Sequence, residues 1–296
     1  MIKKQVGVLG ATSLTGECTL RQLVQKGWHV HAFSRQAITD HHPKITWRRI
    51  HPSQPADFDS SDNPIPYWLC AAPIWVLPGY FDLLIAYGAQ RVVVLSSTSR
   101  FTKEISSDPL EKKIVQRLIA SEDKVQTWAT AHRIDWVILR PTLIYGHGRD
   151  KNISEIAAFI RRFGFFPLFG AAQGLRQPIH VEDVALACCN ALDTLNLANR
   201  SYNLSGGEVL SFREMVRRVF EAQNLPPRMF TVPMWLFKIA LWGLKRLPRY
   251  RNWSPAMAER MNQDLKFDSS EAQRDLKLVP RPFKLTAMDL PYQSKQ

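Results

Sequence analysis

Short apolar runs rich in β-branched residues alternate with stretches of helical period through the first two thirds of the chain. That is the rhythm of a parallel sheet wound with crossover helices, so the pattern predicts an α/β fold. The runs Val6–Leu9, His29–Phe33, Ile45–Ile50, Tyr67–Ala71, Arg91–Leu95, Trp136–Leu139 and Ser201–Leu204 have the length and continuity of strands covered on both faces. Between them the periodicity predicts helices over Thr15–Lys26, ended by Gly27, over Gly79–Tyr87, ended by Gly88, and over Pro109–His132, the longest. From Gly146 the rhythm breaks into loops bearing glycine and proline, and after Ser205 a basic, mostly helical tail takes over.

Composition narrows the class. With 296 residues, 45% hydrophobic and 22% charged, the chain is too apolar for disorder and too long for a disulfide miniature. Lys and Arg number 39 against 26 Asp and Glu, a net charge of +13 that favours phosphorylated ligands, nucleic acid or an anionic membrane face. Cys18, Cys70, Cys188 and Cys189 sit in apolar segments without paired metal spacing, which predicts reduced, buried thiols and no metal site. Met1–Gly10 holds no signal-peptide core, and nothing approaches the ~20 apolar residues of a spanning helix. The expectation is a cytoplasmic protein, peripheral at the inner membrane surface at most.

The segment Gly10-Ala11-Thr12-Ser13-Leu14-Thr15-Gly16 follows the first strand and opens the first helix, the context in which a glycine-rich loop binds a dinucleotide. Gly10 permits a sharp turn, Gly16 permits close packing of helix on sheet, and the amides around Leu14 and Thr15 face a diphosphate. Ser13 stands where a middle glycine is usual; its hydroxyl can cap the helix or touch phosphate, while its Cβ narrows the backbone approach. The second strand ends in Ser34-Arg35, with no Asp or Glu between Glu17 and Asp40 to hold a ribose diol. Arg35 suits a 2′-phosphate, so NADP is expected over NAD.

Further segments occur in a telling order: Val94-Leu95-Ser96-Ser97-Thr98, Leu139-Arg140-Pro141-Thr142-Leu143-Ile144-Tyr145-Gly146, and Pro178-Ile179-His180-Val181-Glu182-Asp183-Val184-Ala185. With the glycine loop they resemble the extended or atypical branch of the short-chain dehydrogenase/reductase superfamily, the NAD(P)-dependent epimerase/dehydratase-like proteins. The resemblance implies a Rossmann-type doubly wound sheet in residues 1–145, completed by about 178–206, and a smaller, mostly helical substrate lobe from 146–177 and 207–296. It implies that Ala71, Ala72 and Pro73 lie under the middle of the cofactor. Ser96, Pro141, Thr142 and Leu143 would flank it, Ser97 would orient the substrate as a catalytic residue, and Tyr145 would wall the substrate side.

The family pairs a Tyr with a Lys one helical turn away, the Lys lowering the phenol's pKa for proton exchange with an alcohol or carbonyl. Here those places fall near Ile114 and Leu118, and no Tyr occurs between Tyr87 and Tyr145. Two readings follow. One is an NADP-preferring oxidoreductase or epimerase-like enzyme acting on a carbonyl, an alcohol or a phosphorylated, nucleotide-linked substrate. The other is a non-catalytic NADP-binding sensor or accessory subunit, a use the family knows from respiratory complex I. Residues 234–251 carry Lys238, Lys245, Arg246, Arg249 and Arg251 among Trp235 and Trp242. Such a stripe suits either a helix of the substrate lobe or an interfacial membrane helix; no recognised nucleic-acid motif accompanies the charge, which argues against nucleic acid.

Overall fold

The computed structural model describes residues 4–39, 41–50, 64–102, 108–194, 196–236 and 255–291. Seven parallel strands, β1 (Gln5–Leu9), β2 (His29–Ser34), β3 (Ile45–Arg49), β4 (Tyr67–Cys70), β5 (Arg91–Leu95), β6 (Asp135–Pro141) and, later in the chain, Arg200–Leu204, form one sheet. The last of these pairs with β6 at one edge and β3 forms the other, so the order turns back between β1 and β4. All seven predicted strands are present within a residue or two of their expected ends; the interior ones, buried on both faces, leave plain apolar runs, while β3 at the edge is partly exposed.

Helix α1 (Leu14–Gln25) follows β1, and a 3-10 turn (Ile74–Tyr80) running into α2 (Phe81–Ala86) follows β4. Past the four-residue α3 (Ser99–Thr102) comes α4 (Pro109–Ala131), opened by Asp108, whose carboxylate accepts from the Leu110 amide at 2.9 Å. One apolar cluster, with Leu23, Trp28, Val93 and Cys188, fills one face of the sheet; a second, with Trp68, Leu77, Val94 and Trp128, fills the other.

Beyond β6 the chain forms β7 (Ile144–Tyr145), α5 (Ile153–Phe163), β8 (Phe166–Phe169), β9 (Leu175–Arg176), β10 (Ile179–His180), α6 (Val181–Asp193), β11 (the Arg200–Leu204 strand), β12 (Leu210–Ser211), α7 (Phe212–Ala222) and β13 (Met229–Val232). The two-residue strands were not legible beforehand, since two residues carry no period. A third cluster, built on Ile160, Leu168, Met215, Phe220 and Phe283, holds α5, α7 and β8 together apart from the main sheet. Of the basic stripe, 237–251 lies outside the described residues; Trp235 and Leu236 at its start are exposed. Among the described residues no helix is long and apolar enough to cross a membrane. All four cysteines are buried and unpaired.

Candidate functional site

Where the strand order reverses, the carboxyl ends of β1 and β4 open a crevice, the place where sheets of this kind bind ligands. Gly10 takes φ +76°, and a Cβ there would stand 2.4 Å from the Ala72 amide nitrogen, so the end of β1 approaches the end of β4 as only glycine allows. Ser13 takes φ −74° and ψ 159°, ordinary extended backbone that needs no glycine. Its hydroxyl accepts from the Gly16 amide at 3.0 Å and donates to the Ala71 carbonyl at 3.3 Å. The side chain is thereby folded into the turn as a cap, which explains why a serine stands where a glycine is usual. Gly16 and Glu17 amides are satisfied by Ser13. The amides of Leu14 and Thr15 remain the open donors of the helix, and Thr12 lies exposed at the rim.

At the end of β2, the buried Ser34 hydroxyl accepts from the Gln36 amide at 3.1 Å and shapes the turn that presents Arg35. Arg35 is exposed, makes no ion pair among the described residues, and stands close enough to Tyr80 to act on its phenol electrostatically. Parallel pairing places Arg49 opposite Ser34, while Arg48, on the other face, donates to the Tyr87 hydroxyl at 2.8 Å. Strand alternation separates the two arginines of β3.

The end of β5 divides its two serines. Ser97 lines a cavity of about 780 Å³, together with Thr98, Ser99, Thr102, Thr142, Leu143 and Ile144. The Ser96 hydroxyl turns the opposite way and donates to Glu122 of α4 at 2.5 Å. The Ser96 hydroxyl is thereby committed to α4, since successive residues at a strand end face opposite sides. Thr98, which sequence reading passed over, donates through Oγ1 to the Pro141 carbonyl at 3.2 Å, and Thr142 donates to the Gln177 carbonyl at 2.5 Å. The rest of the cavity wall is largely aromatic and apolar, with Phe159, Phe166, Phe212 and Phe267 prominent.

Two guanidiniums reach this wall, and both are engaged. Arg176 donates to the carbonyls of Leu175 at 2.8 Å and Gln263 at 2.7 Å and to that of Arg260; burial lowers its pKa to about 10. Arg260 is ion-paired with Glu111. On α4, Ile114 is exposed and Leu118 is 4% exposed in the core beside Leu77 and Val94, so the place expected for the family's lysine is filled by packing. Lys112, Lys113 and Lys124 face solvent, and Arg117 lies over the Trp75 ring at 4.7 Å.

Tyr145 also needs correcting as a substrate wall. It is 0% exposed, edge-on to His180 at 5.1 Å and to Phe283 at 4.9 Å, because on β7 its neighbour Ile144 takes the cavity side. Beside it, His180 Nδ1 accepts from the Glu182 amide at 3.2 Å, which leaves Nε2 to donate to Asp289 at 3.0 Å. Burial alone would push the Asp289 carboxyl up; hydrogen bonds from His180 and from the amide and hydroxyl of Thr286 together hold it well below the usual range. Its folded-state pKa is depressed, so its contribution is present above the unfolded value near 4 and drains away as pH falls below that. Asp289→Asn should flatten the acid limb of the stability curve, read by denaturant melts between about pH 2 and 5; an unchanged limb would remove this carboxylate from the account.

Residues 81–205 match the NAD dependent epimerase/dehydratase family. Over that stretch, which runs from α2 to the last strand of the sheet, the chain is similar to the NAD dependent epimerases and dehydratases. The doubly wound sheet described above is Rossmann-like, the fold of the solved structures that the chain resembles. Protein y4nG of Sinorhizobium fredii is 23% identical over 95% of this chain and 76% of its own. The 2-alkyl-3-oxoalkanoate reductase of Stenotrophomonas maltophilia is 28% identical over 56% of this chain and 51% of its own. Among solved structures, MoeE5 in complex with UDP-glucose and NAD shares the fold, with a TM-score of 0.69 and 19% identity over 94% of this chain and 93% of that one.

Proposed function

We propose that the protein is an NADP-preferring oxidoreductase acting on a carbonyl or alcohol whose body is apolar. The observation that carries the cofactor choice is Arg35, exposed and without an ion-pair partner among the described residues, at the strand end where an acid would bind a ribose diol. The crevice suits a dinucleotide: open amides at Leu14 and Thr15 for the diphosphate, Arg35 for a 2′-phosphate, and Ala71, Ala72 and Pro73 as a floor with no side chain larger than a ring methylene. Pro141, Thr142 and Leu143 would border the nicotinamide, which when bound supplies or accepts a hydride. In this reading 1–145 with 178–206 holds the nucleotide, and 146–177 with 207–296 holds the substrate.

Within the cavity, Ser97 offers a hydroxyl to orient a carbonyl oxygen, and the phenylalanines give an apolar wall to the body of the substrate. A nucleotide-linked sugar is the weaker fit, since Arg176 turns its terminal nitrogens to backbone carbonyls and Arg260 is ion-paired with Glu111. Thermal stability measured with NADP and with NAD tests the cofactor by linkage. Arg35→Ala should weaken NADP about 10- to 100-fold and leave NAD unchanged; a wild-type preference for NAD sinks the assignment. NADPH consumption with apolar ketones and 3-oxoacids, against UDP-sugars, tests the substrate.

A second reading rests on Leu118: with the proton-relay position filled by core packing, the nucleotide would stabilise a docking or sensing protein without turning over. NADP binding without NADPH consumption across that panel would favour it. Exposed Trp235 and Leu236 lead into the basic stripe of 234–251, so flotation with anionic liposomes at low salt tests whether the docking face is a membrane.

A further inference from the structure

Cys18 of α1, His147 of the loop after β7 and Glu182 at the start of α6 bring a thiol, an imidazole and a carboxylate oxygen to within 4.8 Å of one another. They come from three separate segments, and none belongs to the crevice or the cavity. His147 Nε2 lies 2.8 Å from Glu182 Oε1, and Gln22 donates to the other carboxylate oxygen at 3.0 Å, fixing its direction. His147 takes φ +54°, a left-handed backbone that non-glycine residues seldom adopt and that aims the ring into the cluster.

All three ligand atoms converge on one cationic nitrogen. Arg21 Nη2 stands 3.3 Å from Cys18 Sγ, 3.4 Å from His147 Nε2 and 2.7 Å from Glu182 Oε1. The Arg21 side chain is 58% exposed, so it can swing out without disturbing the core. From this the geometry points to a transition-metal site formed by Cys18, His147 and Glu182, with Arg21 as its displaceable occupant and Zn²⁺ as the class of ion it takes.

The charges balance. With Arg21 in place, the carboxylate is paired with a guanidinium and the sulfur keeps its proton; with the ion in place, its two positive charges face the carboxylate and a Cys18 thiolate. Binding therefore expels the guanidinium to solvent, releases the thiol proton to water, and moves the proton that His147 Nε2 presents to Glu182 over to Nδ1 through solvent, which frees Nε2 to ligate. Sulfur, nitrogen and oxygen donors together select zinc or cobalt over magnesium or calcium, and three protein ligands leave a fourth position for water. Tetrahedral ligation needs movements on the order of 1 Å from the present positions. The ion would tie α1, whose first amides face the crevice, to the loop after β7 and to α6.

The test uses the full chain stripped with a chelator and titrated with Co²⁺, then with Zn²⁺ in competition. Expected are one equivalent of four-coordinate cobalt absorption, a thiolate-to-cobalt charge-transfer band, and loss of both when Zn²⁺ is added. Cys18→Ser should abolish the charge-transfer band. Glu182→Gln, at a partly exposed side chain, should weaken binding at least about tenfold while the band survives at saturation; this holds the proposal falsifiable if the serine variant fails to fold. Arg21→Ala should tighten binding about tenfold, the reverse of what a merely structural arginine would give. No charge-transfer band in the wild type, a band persisting in Cys18→Ser, or weaker binding in Arg21→Ala would each overturn the assignment.

Discussion

Glu122→Ala should cost the fold on the order of 3–5 kcal/mol, the size expected when one partner leaves a buried ionic cluster. The carboxylate is 0% exposed and accepts from Arg140 Nε at 3.1 Å and Nη2 at 2.6 Å, from Arg100, and from the Ser96 hydroxyl at 2.5 Å. Burial already pulls the Arg140 pKa down. Without Glu122, the Arg140 guanidinium, 13% exposed, loses the carboxylate that it meets through two nitrogens. The effect reaches the site, because this carboxylate ties α4 to the ends of β5 and β6, where Ser97 and Thr142 meet the cavity. Urea unfolding of the alanine variant gives the cost, and Glu122→Gln, which keeps shape and one acceptor, should fall between. A loss under about 1 kcal/mol would place the carboxylate among ordinary surface pairs.

That carboxylate also shows what a sequence conceals. An acid amid Lys112, Lys113, Arg117 and Lys124 reads as part of a solvated helix face, and only the crossing of α4 over β5 and β6 brings Arg140 beneath it. Strands and long helices were legible because burial on both faces, or on one arc, writes a period into the chain. The glycine loop was legible because its requirement is for backbone shape, and Gly10 and Gly16 carry that in their identity. Side-chain direction at strand ends was not: Ser96, Ser97 and Thr98 are interchangeable as letters, and only register decides which hydroxyl meets the cavity. Tyr145 went the same way on a two-residue strand. The Cys18, His147 and Glu182 grouping joins residues far apart in the chain, so no local spacing could announce it.

Gly10→Ala should be as damaging as the loss of Glu122, and more specific. The methyl would stand 2.4 Å from the Ala72 amide nitrogen, and that neighbour is backbone, so no rotamer change relieves the contact. Holding φ at +76° with a side chain adds about 1–2 kcal/mol to an overpacking cost of about 1–3. Relief can come only if the end of β1 moves away from β4, which widens the turn and carries Ser13 off the Ala71 carbonyl that its hydroxyl holds at 3.3 Å. The amides of Leu14 and Thr15 then lose their common aim, and a diphosphate loses its seat. The variant should therefore melt lower and gain nothing from NADP, where the wild type at a hundredfold excess over Kd should gain about 2.7 kcal/mol. Gly27→Ala is the control: φ is +83° there as well, but nothing lies within 4 Å of the added carbon. It should lose about 1–2 kcal/mol and keep the full response to nucleotide. If the two alanine variants respond alike to NADP, the turn after β1 is a structural corner and the nucleotide binds elsewhere.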